Sequence, residues 1–570
     1  MDSTPLRPAH AWVPLLWALL LAGVLGWLIS LPDRVVRGGG GPWVASEALV
    51  LSGLVAMAPR LLVRGWQAWL TGGVLLFLVL LALADGTTRM SQGRPLDLPE
   101  DILLLRAVTD LLTGSIGGMA TGVVILGAAV LCGLILLGVA RGIRQWPDTP
   151  LPVAGALLVA AGILLAVPHG LGAGGSSGEG PEWTPGASGT PVWNVAVQVA
   201  AAPTVRVART QWELRAEQGR AGAEKPPPVR PLPGLEGRDL VLAFIESYGV
   251  SATHDDRYAP VVRPRLESLA GAARDRGFHL VSGMLEAPVV GGRSWLAHAT
   301  TLSGVRISRQ DAYRELLEAE GPTLARDLRA TGHRTVALLP ALIRDWPEGG
   351  ALGWDAVRTA GEGMEYDGPA LHWATMPDQF VWWRMEESER RSPDRRPLFV
   401  LLAPVSSHAP WTPVLPILDD WEGLGRGEVF REWEDAGPAP VELWRDFDAV
   451  REQYALSIDY ALGVAEEWVR RYMDDATLLV VLGDHQPTPV ITGEGASADV
   501  PVHVFAADRV LLRPFLELGF TEGVLPDADP RAPPGTSPGL EAIRPALHRA
   551  FAAPGRQPEA TDSIPAPRRP

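Results

Sequence analysis

Five apolar segments lie within the first 168 residues, and they constrain the fold more than any other feature of the chain. A helix that crosses a bilayer needs about 20 mostly apolar residues, so runs of this kind predict membrane-spanning helices. The first run is too long for a cleaved signal and lacks a clear small-x-small cleavage site, so we interpret it as a span. The segments are Ala11–Leu31, Glu47–Ala58 (the shortest), Gln67–Ala84, Met119–Ala140 and Leu151–Pro168. They predict an N-terminal α-helical membrane domain over residues 1–168.

The arginines between the apolar segments indicate the orientation of this domain. With the N-terminus inside the cell, five spans place everything after Pro168 outside. The short inside loops then carry four arginines and few acids, in agreement with the positive-inside tendency. Arg34 and Arg37, in the first outside loop, count against this assignment. On balance, the bulk of the chain is predicted to lie outside the cytoplasmic membrane. The four inside arginines are Arg60, Arg64, Arg141 and Arg144.

Charge and cysteine content exclude several classes of function. The formal net charge is −15, which argues against nucleic acid as a partner, because an acidic surface repels phosphates. The chain has one cysteine, Cys132, so neither a disulfide framework nor a cysteine zinc site can form. Any metal ion must therefore be held by histidines, carboxylates and hydroxyls.

Residues 169–236 are interpreted as a connector. Gly170–Gly189 is rich in Gly, Ser and Pro and is typical of a flexible exit from the membrane. Val192–Arg220 has partly helix-like spacing of apolar residues, which fits an amphipathic segment on the membrane surface. An ordinary connector broken at Pro203, or a short strand, fits the same pattern. Pro226–Pro233 is a stiff spacer before the next domain.

Apolar strands alternate with helices over residues 237–525. Continuous apolar strands separated by helices indicate an α/β domain with a mostly parallel sheet sandwiched by helices. Predicted strands are Asp239–Ile245, Phe278–Met284, Arg334–Leu339, Pro397–Ala403, Thr477–Leu482 and Val500–Phe505, and predicted helices are Pro264–Arg276, Thr323–Thr331 and Val450–Asp474. Residues 526–570 form a Pro/Ala/Arg-rich tail that is expected to be largely disordered, apart from a short helix at Leu540–Phe551.

Three of the predicted strands end in polar residues. Glu246 follows the first strand, His408 follows the strand Pro397–Ala403, and the pair Asp484 and His485 follows the strand Thr477–Leu482. The carboxyl ends of parallel strands lie along one edge of a sheet, where ligands bind. Glu246, Asp484 and His485 would then form an oxygen, oxygen and nitrogen ligand set suited to Zn²⁺ or Mn²⁺. Each residue alone has an ordinary structural explanation, and the prediction depends on their joint placement.

A hydroxyl near this edge is the candidate nucleophile. Ser294 follows a Gly pair and opens a predicted helix, whose free N–H groups suit a phosphoryl oxygen. Coordination of the hydroxyl by a metal ion would favour its alkoxide form. The alternative is that Ser294 is only a helix N-cap. Thr300 and Thr301 are the fallback nucleophiles.

These motifs resemble the alkaline phosphatase/sulfatase superfamily, and within it the membrane-anchored lipoteichoic acid synthases, phosphoglycerol transferases and phosphoethanolamine transferases. By that resemblance, Glu246 in F-I-E-S-Y matches the metal-binding Glu after the first strand. Ser294 matches the Thr nucleophile, which also binds the metal, while Asp484 and His485 match the Asp-His metal pair. His408 in S-S-H-A-P-W matches the His that contacts the substrate phosphate.

Two further residues are assigned to substrate binding. Arg344, ahead of Trp346, matches a substrate-binding Arg of these enzymes to within about one residue, as the resemblance implies. His298, one turn after Ser294, either reaches the site or packs behind it. His503 lies within a strand and is interpreted as structural, which favours one metal ion over two.

The chain also departs from the family pattern. Ser replaces the usual Thr nucleophile, and the disulfides of phosphoethanolamine transferases cannot form with one cysteine. No x-P-x-R follows Ser294, so formylglycine-dependent sulfate hydrolysis is not expected.

The resemblance implies a membrane-bound phosphotransferase that uses one divalent ion, Mn²⁺ or Zn²⁺. It would move phosphoglycerol or phosphoethanolamine from a phospholipid donor to an envelope glycan or glycolipid acceptor through a Ser-linked intermediate. The implied location is the bacterial cytoplasmic (inner) membrane, with the catalytic domain on the extracytoplasmic side. Two alternatives stay open: a phosphodiesterase or phosphatase that uses water as acceptor, and a catalytically inactive membrane homologue.

Overall fold

The computed structural model describes two units of the chain. It covers residues 12–36, 45–58, 65–92, 118–145, 150–171, 227–343, 348–392, 395–493 and 495–552, together with isolated positions between them. The first unit spans Met1–Glu213 and the second spans Leu214–Pro570. The predicted segments Gly170–Gly189 and Val192–Arg220 lie almost entirely outside the described residues.

The first unit consists of apolar helices. They are α1 (Trp12–Val36), α2 (Ser46–Met57), α3 (Gln67–Gln92), α4 (Gly118–Arg144) and α5 (Pro152–Leu171). Within α1, α3 and α4, the stretches Val13–Ser30, Gln67–Gln92 and Gly118–Arg144 are long and apolar enough to cross a membrane. The described apolar stretches of α2 and α5 are shorter, so three of the five predicted spans qualify by length and composition. Helices α2 and α5 touch through glycines: a Cβ on Gly53 would come within 2.6 Å of the Gly155 carbonyl oxygen. Such contacts are typical of helices packed in membranes.

The second unit is built on one eight-stranded sheet. Its strands are β1 (Asp239–Ile245), β2 (His279–Glu286), β3 (Arg334–Leu339), β4 (Ala356–Thr359), β5 (Leu398–Leu402), β6 (Thr477–Gly483), β7 (Asp499–Ala506) and β8 (Thr521–Glu522), in the order β4-β3-β5-β1-β6-β7-β2-β8. The five strands from β4 to β6 run parallel, while β7 is antiparallel to both β6 and β2. The predicted mostly parallel sheet is thus confirmed, with a mixed region on one side.

Helices cover both faces of the sheet. They are α6 (Val250–His254), α7 (Ala259–Asp275), α8 (Ser294–Ser303), α9 (Gln310–Glu318), α10 (Leu324–Ala330), α11 (Gly349–Leu352), α12 (Asp378–Met385), α13 (Pro440–Leu443), α14 (Phe447–Arg471), α15 (Pro489–Thr492), α16 (Arg513–Glu517) and α17 (Ile543–Phe551). Successive side chains of a strand point to opposite faces, and β1 divides accordingly between two cores. Val241 and Ala243 belong to one core, whereas Leu242 and Phe244 belong to the other. The apolar run of β1 is continuous because both of its faces are buried.

The expectation of a largely disordered tail from residue 526 is wrong for residues 526–552. This segment lies against the domain and ends in α17, as the predicted short helix at Leu540–Phe551 required. Leu540, Ile543, Leu547 and Phe551 are all buried in the core that contains Phe244. Their spacing of three or four residues places them on one helix face, and the surrounding Pro and Ala content concealed the packing of this segment against the domain.

Candidate active site

The polar residues that follow β1, β5 and β6 meet at one edge of the sheet. Strand β1 pairs in parallel with β5 on one side and with β6 on the other, so the three carboxyl ends are neighbours. The Ser407 hydroxyl, from the segment after β5, donates a 2.8 Å hydrogen bond to the Glu246 carbonyl oxygen. The predicted convergence of these three strand ends is therefore present in the fold.

The turn after β1 holds Glu246 against the end of β6. Ser247 has a left-handed backbone (φ 59°), which is unusual for a non-glycine residue and is found at ligand sites. This conformation directs the Ser247 N–H to Asp484 Oδ1, at 2.8 Å. The Ser247 carbonyl accepts a 3.0 Å hydrogen bond from the Tyr454 hydroxyl, so both backbone groups of this strained residue are satisfied.

The end of β6 orients Asp484 and His485. Asp484 Oδ1 also accepts the backbone N–H of His485, at 2.7 Å. His485 Nδ1 lies 2.8 Å from the Gln486 carbonyl oxygen, which can only accept, so Nδ1 carries a proton. In the neutral ring, Nε2 therefore keeps a free lone pair. It lies 3.3 Å from Glu246 Oε1 and 3.8 Å from Asp484 Oδ2.

Ser294 reaches this edge through a tight loop. Gly291, Gly292 and Arg293 have φ of 70°, 136° and 63°, and such a run of left-handed positions explains the Gly pair. Helix α8 begins directly afterwards, so Ser294 occupies its first position. The partly exposed Ser294 hydroxyl donates to Glu246 Oε2 at 2.8 Å and lies 3.2 Å from His485 Nε2.

The three acidic and imidazole groups form a set that fits a divalent cation. One ligand atom from each of Glu246, Asp484 and His485 lies within 4.8 Å of the other two, and all three side chains are buried. Carboxylate oxygens with an imidazole nitrogen are donors that Zn²⁺ and Mn²⁺ accept. Among the described residues no other group of His, Cys, Asp and Glu meets this geometry.

The electrostatics of the site favour a cation as well. Burial raises the pKa of Asp484 well above its ordinary value, and the charge of Glu246 adds to this effect. Burial acts in the same direction on Glu246, but His485 outweighs it and holds the pKa of Glu246 well below its ordinary value. Burial would lower the pKa of His485, yet the two carboxylates raise it to about 9. The site thus holds two buried carboxyls and one imidazolium, so a second positive charge is needed for both carboxyls to be ionised. A divalent ion would supply it.

His408 lies beside the cluster in a stacked arrangement. Its ring lies on the Trp373 ring with a centroid separation of 3.5 Å and an angle of 8°. A tight hairpin turn with a left-handed His372 (φ 55°) presents Trp373. His408 Nδ1 donates to the Ala409 carbonyl oxygen at 2.5 Å, which leaves Nε2 for a ligand. Burial lowers the pKa of His408 and Glu246 partly opposes this, so the neutral ring offers an acceptor nitrogen.

His298 lies close to the site, one helical turn after Ser294 in α8. Its ring contacts Phe244 with a centroid separation of 4.3 Å, on the same face of β1 as Glu246. The Nε2 atom of His298 is buried and has no hydrogen-bond partner among the described residues. Burial lowers the pKa of His298 to about 4 despite the opposing charge of Glu246, so the ring is neutral at neutral pH. The structure thus favours packing behind the site.

The two fallback nucleophiles contribute no accessible hydroxyl. Thr300 and Thr301 are fully buried, and their hydroxyls bond to backbone carbonyls of Ile307 and Ala297. Arg344 lies outside the described residues. Sequence reasoning did not identify Trp373, because no spacing pattern links it to His408.

No protein-family model matches this chain, and no curated protein matches it. Among solved structures, a lipoteichoic acid synthase from Listeria monocytogenes aligns with 51% of this chain and 71% of its own, at 13% identity and a TM-score of 0.34. The periplasmic domain of EcEptC from Escherichia coli, in complex with Zn, aligns with 57% and 87%, at 12% identity and a TM-score of 0.35. A Streptococcus pyogenes phosphoglycerol transferase, in complex with sn-glycerol-1-phosphate, aligns with 53% and 74%, at 12% identity and a TM-score of 0.31.

The chain is similar to proteins of the alkaline phosphatase superfamily, one of which, from Vibrio parahaemolyticus, is 16% identical with a TM-score of 0.31. At identities of 12–16% and TM-scores of 0.31–0.35, these similarities carry no argument about activity or substrate.

Proposed function

We propose that this protein is a membrane-bound, metal-dependent phosphotransferase that forms a covalent intermediate on Ser294. The observation that carries the proposal is the position of the Ser294 hydroxyl. It lies 2.8 Å from Glu246 Oε2 and 3.2 Å from His485 Nε2, at the first position of α8. A hydroxyl within hydrogen-bonding distance of a base, beside free helix N–H groups, is typical of an activated nucleophile.

Glu246, Asp484 and His485 would hold one divalent cation, Mn²⁺ or Zn²⁺, with the Ser294 hydroxyl beside it. Such an ion lowers the pKa of a bound hydroxyl and offsets negative charge on a phosphoryl group. The neutral His485 tautomer suits this role. Its Nδ1–H donates to the Gln486 carbonyl oxygen, so the lone pair of Nε2 is free to bind the metal.

The chemical step exchanges one phosphorus–oxygen bond for another. A bond forms between Ser294 Oγ and phosphorus, and the bond from phosphorus to the diacylglycerol oxygen breaks. The Oγ proton lies in the hydrogen bond to Glu246 Oε2, which is the atom placed to accept it. Diacylglycerol leaves with a proton from solvent, and the head group stays on Ser294 as a phosphodiester.

A second displacement releases the head group to an acceptor. An acceptor hydroxyl attacks phosphorus, the bond from phosphorus to Oγ breaks, and Oγ recovers the proton that Glu246 accepted in the first step. His408 Nε2, a free acceptor when the ring is neutral, would take the proton of that hydroxyl. We infer a glycan or glycolipid acceptor at the cell envelope and a phospholipid donor carrying phosphoglycerol or phosphoethanolamine.

The apolar helices support a lipid donor. Three of them are long and apolar enough to cross a membrane, so the domain is tethered where phospholipids are found. We infer a multi-pass protein of the bacterial cytoplasmic membrane with its catalytic domain on the extracytoplasmic side.

A hydrolase is the second candidate, favoured by the exposure of Ser294 and the acceptor nitrogen of His408. Water would serve as well as a sugar hydroxyl at that nitrogen. A comparison of free phospho-head group with transferred head group, in membranes that contain the natural acceptor, distinguishes the two reactions.

The test uses the full-length protein in membranes with Mn²⁺. Phosphatidylglycerol and phosphatidylethanolamine, each labelled in the head group, are supplied in separate reactions. We expect one of them to label a peptide that contains Ser294, and we expect Ser294→Ala or chelator to abolish the label. Thr301→Val is the matched control, because it removes a buried hydroxyl of the same helix that bonds only to Ala297. Undiminished lipid turnover by Ser294→Ala would refute the proposal.

A further inference from the structure

A buried ion pair lies behind the nucleophile helix, away from the cluster described above. Arg544 of α17 and Asp327 of α10 are both fully buried. They form two hydrogen bonds, from Nε to Oδ2 at 2.7 Å and from Nη2 to Oδ1 at 3.1 Å. His548 Nε2 adds a 2.8 Å contact to Asp327 Oδ2. Such a pair is costly to break, since an unpaired charge would remain in the interior.

The pair connects three segments that are distant in sequence. Arg544 Nη1 donates to the carbonyl oxygen of Ser303, the last residue of α8, at 3.1 Å. Arg544 Nη2 donates to the Pro228 carbonyl oxygen at 3.3 Å, and the Arg230 N–H donates to Asp327 Oδ1 at 3.0 Å. The C-terminal helix, the chain entering the domain and the end of the nucleophile helix therefore share one anchor.

Arg544 contacts α8 at its C-terminal end, where the backbone carbonyls lack partners within the helix. The last carbonyls of a helix have no partner within it and carry partial negative charge, so a guanidinium there is favourable. The end of α8 is also closely packed, because a Cβ on Gly304 would lie 3.1 Å from Pro545 Cδ. Ser294 stands at the other end of the same ten-residue helix. A shift of the anchored end therefore moves the Ser294 hydroxyl relative to Glu246.

We propose that the Asp327–Arg544 pair positions the nucleophile: it fixes α8 so that Ser294 stays within reach of Glu246 and His485, and it ties this helix to the chain that enters the domain at residues 228–230. Arg544 is a positioning residue, since it touches neither the cluster nor a substrate. The catalytic consequence rests on the proposed function, whereas the mechanical link does not.

The test compares Arg544→Met and Arg544→Lys with Arg390→Met in the full-length protein. Arg390 is the matched control, because it too is a buried arginine paired with acids: Asp239 at 3.2 Å and Asp474 at 2.8 Å. Asp239 begins β1, so this pair lies at the opposite end of that strand from Glu246. Both methionine variants lose a buried ion pair, but only Arg544→Met also loses the hydrogen bond to the end of α8.

Two measurements are made on each variant that gives a cooperative unfolding transition. The first is amide hydrogen exchange of residues 294–303, and the second is hydrolysis of bis(4-nitrophenyl) phosphate with Mn²⁺. For Arg544→Met we expect faster exchange in α8 and a kcat lowered by about 10- to 100-fold with little change in KM, since misplacement of about 1 Å has effects of this size. Arg544→Lys keeps the charge but not the fork of donors, and it should recover part of both losses. Arg390→Met should leave both readouts at the wild-type level after correction for folded fraction.

The outcomes separate the two proposals. Unchanged α8 exchange in both Arg544 variants, or equal effects from Arg390→Met, would overturn the positioning role whatever the activity. Faster α8 exchange together with a wild-type protein that never turns over the probe supports the mechanical link and counts against the proposed chemistry. Should Arg544→Met not fold, Arg544→Lys alone decides between these results.

Discussion

Replacement of Asp484 by Asn should have opposite effects on stability with and without a metal ion. Asp484 Oδ1 accepts two backbone N–H groups, from Ser247 and His485, and an asparagine Oδ1 can keep both. The substitution therefore removes charge while preserving the turn. Without metal this should stabilise the domain, because burial and the negative charge of Glu246 both make the ionised carboxyl of Asp484 unfavourable.

The size of the effect follows from the raised pKa of Asp484. Burial and the charge of Glu246 raise that pKa well above its ordinary value, so the ionised carboxylate is less favourable in the folded protein than in the unfolded chain. A pKa that is higher by one pH unit corresponds to about 1.4 kcal/mol. A gain of about 1 kcal/mol on removal of the carboxylate should raise the Tm of the metal-free domain by roughly 2 °C.

The metal-bound protein should respond in the other direction. A cation at a concentration of about 100 times its Kd stabilises the wild type by about 2.7 kcal/mol, which corresponds to a rise in Tm of roughly 5 °C. Loss of a ligand weakens metal binding by more than the roughly 10- to 100-fold of a change in a residue that only supports a ligand. Asp484→Asn should therefore lose nearly the whole rise.

Thermal unfolding in EDTA and in MnCl₂ or ZnCl₂ measures both effects. Asp499→Asn is the control: Asp499 is a buried carboxyl whose pKa is raised by burial and by Glu286, but it lies outside the cluster. This control should keep the full metal response. A wild-type-sized Tm rise in Asp484→Asn would refute the assignment of Asp484 as a ligand. A metal-free Asp484→Asn domain clearly less stable than the wild type would refute the electrostatic argument.

Three further predictions concern other parts of the catalytic domain. His503 lies between the Tyr248 and Ser282 hydroxyls, and its burial lowers its pKa to about 3. Between this pKa and the ordinary pKa of histidine, the imidazole is protonated in the unfolded chain but neutral in the folded one. Stability should then fall by about 1.4 kcal/mol per pH unit as pH drops from about 6.5 towards 3, and His503→Gln should remove this slope from urea titrations; an unchanged slope would contradict the assignment. Trp373→Ala should raise KM for bis(4-nitrophenyl) phosphate roughly 3- to 10-fold by freeing His408, while Trp373→Phe should stay near the wild type; equal KM values in all three proteins would exclude the stacking role. A chain ending at residue 525 should lack a cooperative thermal transition and one ending at 552 should keep it, because the removed segment fills part of the core; cooperative unfolding of the shorter chain would show that segment to be dispensable.

Strands with continuous apolar runs could be predicted from the sequence. Asp239–Ile245 and Arg334–Leu339 have their predicted bounds, since both are buried on two faces. The short strand β4 was not predicted, because A-V-R-T has no continuous apolar run. The short helix predicted at Leu540–Phe551 is present, but the Pro- and Ala-rich context hid the burial of its apolar face in the core.

The cluster itself followed from topology. Parallel strands must bring their carboxyl ends to one edge, so Glu246 and Asp484 could be placed together before any contact was known. The supporting contacts could not be predicted in this way. Trp373 stacks on His408 and Arg544 holds Ser303 only because loops and helices far apart in the chain fold back on the sheet. Such contacts depend on three-dimensional packing, for which a single sequence contains no periodic signal.

The loop that carries the nucleophile is joined to the end of β6 by main-chain atoms. Val290 and Gln486 form an isolated bridge, and the Gly291 N–H donates to the Gln486 carbonyl oxygen at 2.8 Å. A main-chain link of this kind does not depend on the side chain at Val290. Substitutions there can therefore accumulate over evolution while the loop that carries Ser294 stays aligned with the end of β6. Gly291→Pro is different, since proline has no N–H to donate and cannot adopt the left-handed φ of 70° at this position, and it should separate the nucleophile from the cluster.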